Sequence, residues 1–382
     1  MTNHELMINF IKDLYPSEEL IQLHQPNFSG NEKKYVTECI DSTFVSSVGS
    51  FVNRFEEMIS EYTGAKYAIA TVNGTAALHI SLQLAGVNPD CEVITQPLTF
   101  VATCNAIAYC GAYPVFLDVD LNTLGLSPVS LRKFLENNTK SSPLGRINKK
   151  TGRKIAAVLP MHTFGHPCRV DEILNICNEF DIPLIEDSAE SLGSFYKGKH
   201  TGTFGLLSAL SFNGNKIITT GGGGMILTNN ENLAEKAKHI STTARRPHTY
   251  EYIHDQIGYN YRLPNINAAL GCAQMENLNS ILKSKRAIAN NYKIFALAND
   301  FSFIKEPNDS LSNYWLNALI LKDKNERDNF LKELNNAQIL ARPIWKLMHK
   351  LPMYNCCDFS NLPNSEWLEE RVINIPSSAK IS

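Results

Sequence analysis

From about residue 66 onward, short runs of β-branched and apolar residues alternate with stretches whose apolar positions recur at helical spacing. That alternation is the sequence form of βαβ units, in which helices cover a largely parallel sheet. Lys66–Asn73 reads as the first strand and Thr75–Ala85 as the helix that follows, with Ala77, Ile80 and Leu84 on one face. Further strands are predicted at Glu92–Thr95, Pro114–Asp118, Ile155–Pro160, Pro183–Asp187, Ala209–Phe212 and Met225–Thr228. Ser127 and Pro128 supply an N-cap and a first helical residue for a helix predicted over Leu131–Glu136. Val170, Ile173, Leu174 and Cys177 mark another. Residues 137–154 are polar and basic with neither period, which predicts an exposed loop. Past about residue 250 the pattern shifts to helices and isolated strands, and the helical stretch Pro264–Asn291 is expected to bridge to a smaller domain. The expected division is a large domain over 1–250, N-terminal segment included, and a small domain over 251–382.

Composition narrows the class. With 382 residues, 43% of them apolar and 19% charged, the chain can bury a large core, which excludes bulk disorder. Its 36 Lys and Arg against 38 Asp and Glu leave a net charge of −2, without the basic surplus that neutralising a phosphate backbone requires. The first residues lack a basic stretch followed by an unbroken apolar run, and no window is apolar enough to span a bilayer. A soluble, cytoplasmic protein is therefore expected. Nine cysteines include no CxxC pair and several lie in apolar stretches, which suits reduced, buried thiols rather than disulfides or a metal site.

Three segments carry candidate chemistry. Asn73-Gly74-Thr75 stands where a predicted strand gives way to a helix, so free N–H groups and the helix dipole could meet a phosphate there; an ordinary turn and cap is the alternative. Ser211 to Lys216, followed by Gly221–Gly224, invites comparison with a nucleotide-binding loop, but the spacing fails. Asn215 separates Gly214 from Lys216, the upstream glycine is missing, and Ile217 stands where Ser or Thr is needed. Glu186 to Gly193 follows an apolar strand, which sets its carboxylates where open α/β sheets bind ligands. No cluster of metal-ligand spacing accompanies them. Beside Lys216 and the Gly74 turn, a buried Asp187 could instead hold a pyridinium nitrogen protonated, as pyridoxal phosphate requires.

Taken in order, TVNGTAALHISLQLAG, PLTFVATCNAI, VLPMHTFGHP, PLIEDSAESLGS, LSFNGNKIITTGGGGMI and GYNYRLPNINAALG, between residues 71 and 271, resemble the DegT-type sugar aminotransferases. FVSSVGSFVNRFE (44–56) and ARPIWKLMHKLPMY (341–354) extend the resemblance over most of the chain. It implies an α/β fold of the aspartate-aminotransferase type (fold type I), with a large, mostly parallel sheet domain and a smaller C-terminal α+β domain. It also implies a pyridoxal phosphate enzyme. Lys216 matches the lysine that bonds the cofactor, Asp187 the partner of the pyridine nitrogen, and Glu190 the residue at the ring hydroxyl. Phe100 matches a ring stacked on the pyridine. Gly74, Thr75 and Ser211 match the phosphate cradle, and Asn213, two residues after Ser211, is expected to bind the cofactor as well. Asn260 matches an asparagine that a neighbouring subunit supplies to the phosphate, which implies a homodimer with shared active sites. Arg342 and His349 are expected near the sugar or its diphosphate, with Ser46 and Ser47 as weaker candidates.

Related dehydratases carry histidine in place of the lysine, so Lys216 favours transamination. Asn213 stands where many members have histidine or another residue, Glu190 where several have Gln or His, and Gly222 where Glu is frequent. These choices look most like the LegC-type subgroup, which moves an amino group from L-glutamate to a UDP- or GDP-linked 4-keto-6-deoxy-2-acetamido sugar on the way to legionaminic and related nonulosonic acids. A perosamine-type aminotransferase, a dehydratase and a non-catalytic, cofactor-binding regulator are the competing readings.

Overall fold

In the computed structural model, which describes residues 2–16 and 18–381, all seven strands predicted between residues 66 and 228 are present. They are β1 (Tyr67–Thr71), β2 (Glu92–Thr95), β3 (Tyr113–Phe116), β4 (Ile155–Leu159), β5 (Ile185–Asp187), β6 (Leu207–Ser211) and β7 (Gly224–Thr228). One ladder runs β3-β2-β4 and a second β5-β6-β7-β1. Parallel bridges from Val158 to Leu184 and from Met161 to Asp187 join the two into one sheet. Only β7 opposes its neighbours, pairing antiparallel with both β1 and β6.

The strands alternate between two buried faces, as the two-residue period of a strand demands. Ile69, Val93, Ala157, Leu159, Ile185, Ala209 and Ile226 pack under the helices Gly74–Leu84, Val101–Tyr109 and Glu231–Ser241. Their neighbours point the other way. Ile94, Val158 and Leu184 meet the helices Pro128–Asn138 and Val170–Glu179, and Leu210, Met225 and Leu227 join the cluster around Phe55 and Ile59. Burial on both faces explains why these strands read as continuous apolar runs. Ser127 caps its helix through the Ser130 N–H, with Pro128 in the first turn.

The long helix extends from Asn265 to Ala298, 34 residues, or about 50 Å at the α-helical rise. Its first half buries Ala268, Cys272 and Met275 in the large core, and its second half carries Ile288, Tyr292 and Ala296 into a separate cluster. There a four-strand antiparallel sheet, β8 (Ser302–Phe303), β9 (Asn317–Ile320), β10 (Arg342–Pro343) and β11 (Val372–Ile375), runs in the order β8-β9-β11-β10.

Two expectations differ from the structure. Residues 137–154 are not an irregular loop: Thr139–Ser142 and Gly145–Asn148 pair as a hairpin. Buried Asn148 anchors it, donating to Glu92 at 2.9 Å and to Asp358 at 3.0 Å. The hairpin has one buried side only near its base, so its sequence shows no period. The helix Asn3–Leu14 packs with the C-terminal elements rather than with the first 250 residues, burying Met7 and Ile11 against Tyr292, Phe330 and Ile339. Eight of the nine cysteines are buried and Cys356 is exposed. Among the described residues, no helix is long and apolar enough to cross a membrane.

His200 is expected to make the fold acid-sensitive. Its Nε2 accepts the Gly193 N–H at 2.9 Å while Nδ1 donates to the Thr201 carbonyl, so the ring sits neutral, and burial holds its pKa down to about 4. The unfolded chain takes up this proton first, so stability is present above about pH 6.5 and is lost as pH falls towards 4, by about 3 kcal/mol. Urea unfolding at pH 7 and at about pH 4.5 should show a smaller acid loss in H200Q than in the parent. Equal losses would remove His200 from the account.

Candidate active site

The carboxyl ends of β5 and β6 and the N-terminus of the helix Gly74–Leu84 converge on a cavity of about 330 Å³. Such strand ends are where α/β sheets bind their ligands. Asn73 caps the helix, its side-chain oxygen accepting the Ala76 N–H at 2.8 Å. At Gly74 an added Cβ would stand 2.9 Å from the Ser211 Cβ, so only glycine lets this helix end rest on β6. Gly224 has the same reason, since its Cβ would meet the Asn73 backbone at 2.4 Å. Gly224, the last of the glycine run, is therefore a close-packing device beside the helix terminus. It does not itself line the cavity.

Lys216 projects from the loop between β6 and β7. That loop is tied by Phe212 N–H to the Gly223 carbonyl at 2.8 Å and by Thr220 N–H to the Phe212 carbonyl at 3.0 Å. Ile217 and Ile218 bury themselves in the core, which fixes the lysine backbone. Its Nζ lies 3.3 Å from Glu190 Oε1 and 3.9 Å from the centroid of the Trp315 ring.

Three neighbouring carboxylates have separate environments. Glu186 points away from the cavity; burial works upward on it, but hydrogen bonds from His162, Gly205 and Gly202 hold it below the ordinary range. Asp187, on the opposite face, lines the cavity and accepts the Thr103 hydroxyl at 2.7 Å and the Ala189 N–H at 3.2 Å. Burial pushes its pKa up despite those bonds. Glu190 accepts the Phe164 N–H at 2.9 Å, and burial pushes it up to about 7 against the opposing pull of Lys216. A carboxylate that titrates near neutrality beside an amine can exchange protons with it.

Of the residues singled out in the sequence, Gly74, Thr75, Phe100, Asp187, Glu190, Ser211, Asn213 and Lys216 all line this one cavity. Phe100 is half exposed at its mouth, with its ring 6.5 Å from that of Trp345. Arg342 and His349 are not brought in. Arg342 sits exposed on β10, and the half-buried His349 ring packs 5.2 Å from Phe359. The residue of that segment that reaches the cavity is Trp345. Ser46 and Ser47 stay outside; the Ser46 carbonyl instead accepts the Asn265 N–H at 2.6 Å. Asn260 is exposed and accepts from Arg262 at 3.2 Å, outside the cavity of this chain. Sequence reasoning missed Thr103, Trp315 and Trp345. Thr103 falls one helical turn after Phe100, a spacing that could have exposed it.

Residues 26–382 match the profile of the DegT/DnrJ/EryC1/StrS aminotransferase family. The GDP-perosamine synthase of Escherichia coli O157:H7 is 38% identical over 365 residues, 95% of this chain and 94% of that protein. The enzyme of the same name from Vibrio cholerae is 37% identical over 364 residues, 94% of each. Helicobacter pylori PseC, an aminotransferase involved in the biosynthesis of pseudoaminic acid, superposes with a TM-score of 0.84 at 25% identity, covering 94% of each chain. Profile, relatives and fold agree with the cavity: the chain belongs to the DegT/DnrJ/EryC1/StrS family of sugar aminotransferases, which work with pyridoxal phosphate.

Proposed function

We propose that this protein transfers the amino group of L-glutamate to the 4-keto group of a nucleotide-linked 4-keto-6-deoxy sugar, with Lys216 as its catalytic lysine. The observation that supports this most strongly is the convergence of Lys216, Asp187, Glu190 and the Gly74 helix end on one cavity. The residues fit the cofactor. The N–H groups of Gly74 and Thr75 and the Ser211 hydroxyl would hold its phosphate at a helix N-terminus. Asp187 is a buried carboxylate whose raised pKa would be offset by a cationic ring nitrogen.

Pyridoxal phosphate, when bound, supplies an aldehyde that takes up amines and a ring that accepts the electron pair left on the reacting carbon. Lys216 is the residue that would hold it covalently, through Nζ. As a free amine, the same Nζ would carry the proton off the donor carbon, and in the second half-reaction would return one to the former ketone carbon. Glu190, 3.3 Å away, takes and gives back the proton that the amine must lose and regain. Asp187 would hold the ring nitrogen protonated. Phe100 and Trp345 close the mouth, where the sugar enters. Asn260, exposed and outside this cavity, is assigned to the site of a second copy in a homodimer.

The residue choices at Asn213, Glu190 and Gly222 support a 2-acetamido substrate of the legionaminic type. A second reading, a perosamine-forming reaction on a GDP-linked sugar, is favoured by the names of the relatives. Assays with glutamate and UDP- and GDP-linked 4-keto-6-deoxy sugars, each with and without the 2-acetamido group, separate them. Turnover confined to 2-acetamido sugars supports the first reading and turnover confined to the GDP-linked 2-hydroxy sugar the second. No turnover of any overturns both.

A further inference from the structure

We infer that Trp315 is a positioning residue for the Lys216 amine: its indole face and the Glu190 carboxylate together fix where that amine rests whenever it is not bonded to another group. The inference rests on the reading of Lys216 given above and adds a partner from the C-terminal part of the chain. Trp315 is 4% exposed, lines the cavity and lies 99 positions beyond the lysine. Its ring centroid is 3.9 Å from Lys216 Nζ, well within the distance at which a desolvated ammonium is attracted to an aromatic face.

The ring is held by more than packing. Its Nε1–H donates to the carbonyl of Asn215, the residue before the lysine, at 2.6 Å. Its backbone N–H donates to Asn313 Oδ1 at 2.8 Å, and its carbonyl accepts from Lys285 Nζ at 3.1 Å. The Asn313 amide also donates to the carbonyls of Glu190 and Leu192, at 2.8 and 2.9 Å. One short segment, Asn313–Trp315, thus braces both neighbours of the ammonium, the indole directly and the carboxylate through its backbone. An amine on a flexible four-carbon stem gains a preferred direction from two fixed partners, which is how preorganisation speeds a reaction.

The test compares W315F, which keeps a ring, with W315L, which does not, and adds a series of fluorinated tryptophans at position 315 alone. The fluorinated residues keep shape and N–H while weakening the ring face, so they serve even where W315L fails to fold. Borohydride reduction and peptide mapping come first. A label at Lys216 upholds the underlying reading, whereas a label on another lysine overturns that reading itself. Stopped-flow absorbance then follows capture of added pyridoxal phosphate by cofactor-free protein, and the glutamate half-reaction. W315L should slow both about tenfold with little change in the KM for glutamate. W315F should stay within about threefold of the parent, and rates should fall stepwise with fluorine number. Rates that ignore fluorination, or a W315F as slow as W315L, would overturn the proposal.

Discussion

Replacing Lys216 with alanine should lower kcat by about 10⁴-fold or more, because nucleophile and proton carrier are lost together. The fold should survive the change. Lys216 belongs to no strand ladder, and the loop that holds it is anchored by Ile217 and Ile218 rather than by the ammonium. Removal of the cation leaves Glu190 buried beside Trp315, and a carboxyl already pushed up to about 7 stays protonated there instead of becoming an isolated charge. Lys216→Arg should be equally inactive, since a guanidinium keeps the charge but neither attacks an aldehyde nor gives up a proton near neutrality. Steady-state assays paired with thermal melts check this. Turnover retained in a folded K216A would place the chemistry elsewhere.

The second large effect is expected at Asp187. Asn should lower kcat by about 10³-fold, the scale at which removing a preorganised charge from a buried site is felt. The amide can still accept the Ala189 N–H through its oxygen and meet the Thr103 hydroxyl through its nitrogen, so geometry is kept while the charge is lost. A D187N rate within tenfold of the parent would mean that the ring nitrogen does not depend on this carboxylate. Asp187→Glu, which keeps the charge in a displaced position, should recover part of the loss.

Much of the scaffold was legible because burial leaves a period. The strands of the large sheet are buried by the helices packed on it, so each appeared as a short apolar run, and those before residue 185 stood between helical patterns. The Gly74 turn, Asp187 and Lys216 were legible as residues emerging at strand ends, and the family resemblance brought them together. Trp315 and Trp345 were not. Both come from the C-terminal part of the chain, and what aims them is tertiary: the Asn215 carbonyl for one indole, the Phe164 ring 5.2 Å from the other. Arg342 was expected near the substrate from the family resemblance, yet pairing of β10 with β11 leaves it in solvent, a matter of register that spacing along one chain does not reveal. The polar hairpin and the first helix were misjudged for a similar reason, since their buried contacts are tertiary: Asn148 reaches Glu92 and Asp358, and Met7 and Ile11 pack among residues beyond 288.

The measurement that bears most directly on the account is the visible absorbance of the purified protein with pyridoxal phosphate, before and after L-glutamate and then after a nucleotide-linked 4-keto-6-deoxy sugar. A band from the lysine-bound cofactor that glutamate bleaches and the sugar restores is the expected result. A protein that shows no such band with the cofactor added, or a band that glutamate leaves untouched, would contradict the assignment of Lys216 and the transamination built on it.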